Sequence, residues 1–195
     1  FHWRTVAVRL IRLWNPSAVL DVATGSGDLA MAIHAGCPGG RVVGADFCLP
    51  MLEVARRRGM AELVEADGMN LPFPDRTFDL VTAAFGLRNM ASWEKALSEM
   101  ARVLSPGGHL LILDFSLPTH PTIRPLYRFY LHHILPRIAG IATGRPDAYQ
   151  YLGASIEQFP SGTAMTSLIA SAGFKDAKAT PLTFGTVSIY TAERS

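Results

Sequence analysis

The sequence predicts a doubly wound α/β fold around a mostly parallel sheet. Short apolar runs alternate with helix-periodic stretches from Ala18 to Phe115, turns bearing Gly or Pro separate them, and no internal repeat breaks the alternation. The chain has 195 residues, the size of one domain with a sizeable core. Apolar residues make up 49% and charged residues 17%, which excludes a disordered chain and a coiled coil. No uncharged apolar run approaches the ~18 residues of a membrane span. A net charge of +2 is too weak to point to nucleic acid. The two cysteines, Cys37 and Cys48, cannot build a disulfide framework, so a reducing, cytoplasmic setting is the expectation.

Each element has its own signal. From Trp3 to Trp14, Val6, Leu10, Leu13 and Trp14 recur at helical spacing, and Pro16 closes the helix. Ala18–Ala23 reads as a buried strand, Gly25-Ser26-Gly27 as a turn, and Asp28–Ala35 as a helix ended by Gly36 and Pro38. Strand Arg41–Ala45 leads to helix Pro50–Arg58, and strand Glu62–Glu65 to a loop holding Leu71-Pro72-Phe73-Pro74. Strand Phe78–Phe85 leads to helix Ser92–Leu104, then Ser105-Pro106-Gly107-Gly108 turns the chain into strand His109–Phe115. Beyond Pro118 the alternation stops. Thr122–Ile141 reads as one or two helices interrupted by Pro125 and Pro136, Thr163–Ala172 as a helix, and Phe174–Thr180 with Val187–Thr191 as a closing hairpin. The whole of 1–195 is read as one domain with a helical substrate-lid insertion over about 117–160.

Asp21-x-x-x-Gly25-x-Gly27 lies between a strand and a helix, where glycines let backbone N–H groups approach a ligand. With Ala30 in the third position, the loop also satisfies the looser dinucleotide fingerprint, so hydride transfer stays open at this point. Asp46 ends the second strand, where a carboxylate can accept ribose hydroxyls, and Asp67-Gly68-Met69 follows the third. Acids at these three strand ends follow the layout of class I S-adenosylmethionine (SAM) methyltransferases. SAM carries a sulfonium, an ammonium and a carboxylate but no pyrophosphate, and Asp21 is placed to hold the ammonium.

Leu20-Asp21-Val22-Ala23-Thr24-Gly25-Ser26-Gly27-Asp28-Leu29 resembles the SAM loop of the ubiquinone/menaquinone biosynthesis C-methyltransferases. Phe85-Gly86-Leu87-Arg88-Asn89 after the fourth strand is the more specific match. Met100-x-Arg102-Val103-Leu104-x-Pro106-Gly107-Gly108, Asp114-Phe115-Ser116-x-Pro118, Tyr127-x-x-Tyr130 and Tyr149-Gln150-Tyr151-Leu152 follow in order, so the resemblance spans nearly the whole chain. It implies a Rossmann-like class I methyltransferase with a seven-stranded sheet, helices on both faces and an antiparallel C-terminal strand. It implies SAM as cofactor, with S-adenosylhomocysteine as product. The implied cofactor residues are Asp21, Ala23, Thr24, Gly25, Ser26, Gly27, Asp46, Phe47, Met51, Asp67, Gly68, Met69, Ala84 and Phe85. The family carries a Tyr-Asp-x-x-Asn segment upstream of its His-x-x-Trp helix, and this sequence opens inside that helix, so a preceding segment is expected. Arg128 stands where many members carry Asp, Ala154 where many carry Glu, and Phe184 replaces the first glycine of a usual pair.

The implied reaction is methylation of a ring carbon of a polyprenylated hydroquinone. Carbon becomes nucleophilic when a neighbouring phenol loses its proton, so the protein must align ring and methyl donor and stabilise a phenolate. Arg88 and Asn89 are the first candidates for that work, with Asp114 as candidate base. Tyr130, His133 and Tyr149 are substrate candidates from the insertion. No metal site is expected, because His132 and His133 are adjacent and face different sides of a helix. Between Thr119 and Pro146 there are four arginines and no acid, interleaved with aromatic and aliphatic residues. Such a helix suits either an anionic lipid surface or an ordinary lid. Peripheral membrane contact and a second copy of the chain complete the expected partners. Another small-molecule or lipid methyltransferase, and a non-catalytic SAM-binding protein, are the alternatives.

Overall fold

The computed structural model describes the backbone of residues 2–135 and 146–195, and the side chains of residues 2–135 and 151–195. The sheet is built from β1 (Ala18–Val22), β2 (Arg41–Asp46), β3 (Glu62–Glu65), β4 (Phe78–Ala84), β5 (Leu104–Phe115), β6 (Phe174–Leu182) and β7 (Val187–Arg194). Their order is β3-β2-β1-β4-β5-β7-β6. β3, β2, β1, β4 and β5 pair in parallel, and β7 runs antiparallel to both β5 and β6. This is the seven-stranded, mostly parallel sheet that the sequence implies.

Parallel strands covered on both faces read as unbroken apolar runs, because alternate side chains enter two different cores. Val19, Leu80, Leu111, Leu113 and Ile189 enter one core, beneath α1 (His2–Trp14) and α2 (Asp28–Gly36) and reached by α3 (Leu49–Arg57) through Ala55. Leu20, Val22, Val81, Ile112 and Tyr190 enter the other, beneath α4 (Trp93–Val103) and a later helix, Thr163–Ser171. Arg102 on α4 suspends the β3–β4 connection. It donates to Glu99 and Asp75 and to the carbonyls of Leu71 and Phe73.

Several boundaries differ from the sequence reading. β1 and β4 end one residue early, since Ala23 and Phe85 take φ values of 53° and 57° and leave the sheet. The glycine turn before His109 lies inside β5. Leu104 pairs with Phe78, the chain loops out, and pairing resumes at His109 opposite Leu80. Pro125 does not interrupt a helix. It lies in the first turn of α5 (Ile123–Phe129), where its missing N–H is not needed. α5 continues as one π-helical turn, Tyr130–Ile134, and Pro136 lies outside the described residues. The sequence reading gives 117–160 as a helical insertion without singling out α6 (Pro146–Gln158). Its signal was present: Pro opens it, and Leu152, Ile156 and Phe159 recur at helical spacing, the last two buried. α7 (Thr163–Ser171) and the β6–β7 hairpin complete the chain.

Candidate functional site

All the acids singled out in the sequence lie at or just beyond the carboxyl ends of the parallel strands, with β1 and β4 side by side at the centre. Ligands of open α/β sheets bind in this crevice. Asp21 is 1% exposed on β1, and its two carboxylate oxygens accept the hydroxyls of Thr24 at 2.7 Å and Thr82 at 2.6 Å. Burial pushes its carboxyl up to about 6, against the pull of those two hydroxyls. Asp46 uses one oxygen to accept the N–H of Gly25 at 2.8 Å and the other to accept that of Cys48 at 2.9 Å. It therefore shapes the loop, and each oxygen keeps a lone pair for a hydroxyl. Asp67 is exposed and accepts the N–H of Met69, an Asx turn that folds the segment over buried Gly68.

The loop takes conformations that only glycine adopts without strain, with φ of 55° at Gly25 and 79° at Gly27. A second close approach joins the two central strands. A Cβ on Gly86 would stand 2.3 Å from the Cβ of Ala23, so the β1 and β4 turns touch only because Gly86 has no side chain. Ser26 is half-buried in this loop, and Ala84 lies at the end of β4. Phe47 is 74% exposed and Met51 40% exposed at the end of β2 and the start of α3, apolar groups facing solvent beside the loop.

A one-turn 3-10 helix, Leu87–Asn89, follows β4. It brings Arg88 onto Asp114, the two groups the sequence put forward for chemistry. Arg88 Nη1 donates to Asp114 Oδ1 at 2.9 Å and also to the Phe85 carbonyl, and the Arg88 N–H donates to Asp114 Oδ2 at 3.3 Å. The Asp114 side chain is fully buried and that of Arg88 is 11% exposed. Burial raises the Asp114 carboxyl, opposed by the Arg88 charge. The guanidinium lies 5.2 Å from the Phe115 ring centroid, and Phe115 packs with Phe85 and Trp3 as an aromatic cluster. Arg88 Nε is buried with no hydrogen-bond partner among the described residues.

Asn89 is exposed beside this pair, and its Oδ1 accepts the Tyr151 hydroxyl of α6 at 3.4 Å. Among the described residues Tyr151 thus reaches Asn89 from α6; the sequence reading names Tyr130, His133 and Tyr149 as substrate candidates and not Tyr151. The Tyr149 side chain lies outside the described residues. Tyr130 stacks on Tyr127, whose hydroxyl is pushed up to about 12 by burial, and His133 stacks on Phe129. Both contacts stay within the lid's own helix. Glu157 of α6 accepts Arg128 at 2.6 Å and His132 at 3.0 Å, which ties the two lid helices together. Thr82 was also missed. A lone threonine in a strand carries no signal until pairing sets it opposite Asp21.

The residues present fit SAM. Asp21 offers a buried negative charge for an ammonium, the glycine loop offers close backbone approach, and Asp46 retains acceptor capacity for ribose hydroxyls. A sequence model described as the ubiE/COQ5 methyltransferase family matches residues 1–194. A demethylmenaquinone methyltransferase of Thermus thermophilus is 45% identical, over 99% of this chain and 90% of its own length. The ubiquinone/menaquinone biosynthesis C-methyltransferase UbiE of Syntrophotalea carbinolica is 40% identical, over 100% of this chain and 84% of its own. A solved SAM-dependent methyltransferase of Thermotoga maritima shares the fold, with a TM-score of 0.70 at 17% identity over 98% of this chain and 89% of that one. These matches set aside the hydride-transfer reading of the glycine loop. The chain belongs to the ubiE/COQ5 methyltransferase family.

Proposed function

We propose that this protein methylates a ring carbon of a polyprenylated hydroquinone in menaquinone or ubiquinone biosynthesis. When bound, SAM supplies an electrophilic methyl group on a sulfonium. Asp21, the loop from Ala23 to Gly27, Asp46, Phe47, Met51, Asp67, Gly68, Met69, Ala84 and Phe85 hold it at the strand ends. The observation that carries the reading is the buried Arg88–Asp114 pair beside that loop. A guanidinium stays charged at any working pH, so it stabilises a phenolate better than it removes a proton. Asp114 fixes the orientation of Arg88, whose guanidinium charge stabilises the developing oxyanion. Asn89 and the Tyr151 hydroxyl orient the phenol or a water that takes its proton. Trp3, Phe85 and Phe115 give the ring an apolar wall.

The test supplies methyl-labelled SAM with chemically reduced demethylnaphthoquinol or methoxybenzoquinol, each short-tailed. Label in one of them supports the reading and names its pathway branch. Arg88→Met should lower kcat by about a hundredfold or more while the Kd for SAM stays within about twofold. Label in neither acceptor, with SAM bound, would overturn it.

The lid supports a membrane-facing role for the same site. Leu126, Phe129, Tyr130, Ile134 and Tyr151 are exposed, beside the exposed cations Arg124 and Arg128. No helix among the described residues is long and apolar enough to cross a membrane. A greasy, basic rim suits peripheral contact with anionic lipid. Co-sedimentation should rise with the anionic fraction of liposomes, and equal binding to neutral vesicles would count against the electrostatic part.

A further inference from the structure

A network outside the catalytic pair grips the cofactor loop from behind. Arg58 caps the C-terminal end of α3, and Gly59 turns the chain away with φ 102°. Its Nη1 donates to the Ser26 carbonyl at 2.7 Å, in the middle of the glycine loop. Its Nη2 pairs with Asp28 Oδ1 at 2.7 Å, and Asp28 Oδ2 pairs with Arg4 Nη2 of α1 at 2.8 Å. Asp28 opens α2, where a carboxylate is favoured by the helix dipole. The same end of α3 presses on the loop sterically: a Cβ on Gly27 would stand 2.7 Å from Met60 Sδ and 3.3 Å from Ala55 Cβ.

We propose that Arg58 is a positioning residue for the cofactor loop. The proposal rests on SAM binding at that loop. A two-pronged guanidinium fits the place because it must serve a carbonyl and a carboxylate at once. The Gly25 N–H is fixed from the front by Asp46, and the Gly27 N–H by the Thr24 carbonyl. Arg58 fixes the Ser26 carbonyl, the second of the two between them, and so sets the plane of the Ser26–Gly27 peptide. A loop of left-handed glycines has many alternative conformations, and each one held back is entropy that SAM need not remove on binding. Arg4 extends the grip to α1, whose Trp3 packs on the aromatic wall of the site.

Exposed ion pairs of this kind usually contribute little to stability. A merely structural role therefore predicts a small change in Tm and nothing else. The positioning role predicts that Arg58→Met weakens SAM binding by about tenfold, the worth of one charge-assisted hydrogen bond. By calorimetry the Kd should rise, while kcat at saturating SAM stays within about twofold. Amide exchange at Gly25, Ser26 and Gly27 in the ligand-free protein should speed up in the same variant. Arg58→Lys, with one prong, should recover part of the affinity, and Asp28→Asn should fall between wild type and Arg58→Met. Unchanged Kd and unchanged exchange in Arg58→Met would overturn the proposal. Failure of the wild-type protein itself to bind SAM would instead remove the reading it rests on.

Discussion

Asp21 shows at a single residue how the site proposed to hold SAM costs stability. It is a fully buried carboxylate that accepts two hydroxyls and lies near the like charge of Asp46, and burial pushes its carboxyl up to about 6 from the ordinary 3.8. The folded protein therefore binds a proton there more tightly than the unfolded chain does. Stability from this group rises as pH falls from about 6 to about 4, and is at its lowest above 6. The shift corresponds to about 2–3 kcal/mol at neutral pH. The SAM ammonium proposed to bind there would reverse the balance by stabilising the charged form. Asp21→Asn should thus raise unfolding stability at pH 7 by about 1–3 kcal/mol in urea titrations and flatten its rise below pH 6. In the wild-type protein, SAM affinity should fall as pH drops through about 6, by up to about tenfold per unit. A Kd flat from pH 7 to pH 5 would contradict the role given to this residue. Asp21 was legible in the sequence as a site acid. Thr82, whose hydroxyl opposes the effect of burial on that carboxyl, was not, because the contact exists only through the β1–β4 register.

At the level of elements, the β6–β7 turn and the lid each carry a local departure with a measurable consequence. Phe184 sits in the turn with φ 57° and ψ 22° and is 84% exposed. A side chain there strains the backbone and gains little packing. Phe184→Gly should raise stability by about 1 kcal/mol, seen as a higher Tm. The neighbouring Gly185 already abuts Pro118 and Thr119 where the lid begins. In the lid, Glu157 bridges Arg128 of α5 and His132 of the π turn. Arg128 thus finds its partner on α6. Glu157→Gln should cost under about 1 kcal/mol of stability, since the pair is half-exposed. It should raise KM for the quinol while leaving the Kd for SAM unchanged. Lid positions were the least legible in the sequence. Pro125 looked like a break and is a helix start, and the helical spacing of Leu152, Ile156 and Phe159 was hidden inside a tyrosine motif. The parallel strands were legible almost to the residue, because burial on both faces leaves an uninterrupted apolar run with a turn at each end.

Over the whole molecule, the doubly wound sheet gathers chemistry from distant parts of the sequence onto one edge. Asp21, Asp46, Arg88 and Asp114 arrive there from the ends of four different strands. Trp3 and Thr183, 180 positions apart, meet across the same edge through a 2.7 Å hydrogen bond. The chain order of the motifs predicted the strand ends, and the topology explains why they converge. The sequence could not show that Arg88 and Asp114 form one buried unit, because 26 residues separate them and only β4–β5 pairing closes the gap. Methylation of a ring carbon at this edge forms a carbon–carbon bond on the reading proposed above. The most direct test is transfer from SAM labelled with carbon-13 in the methyl group to reduced short-tailed demethylnaphthoquinol and methoxybenzoquinol, with the product read by NMR. The expected product carries the methyl group on a ring carbon, and Arg88→Met should lose most of it. A methyl ether on the phenolic oxygen, or no transfer to either acceptor, would contradict that reading.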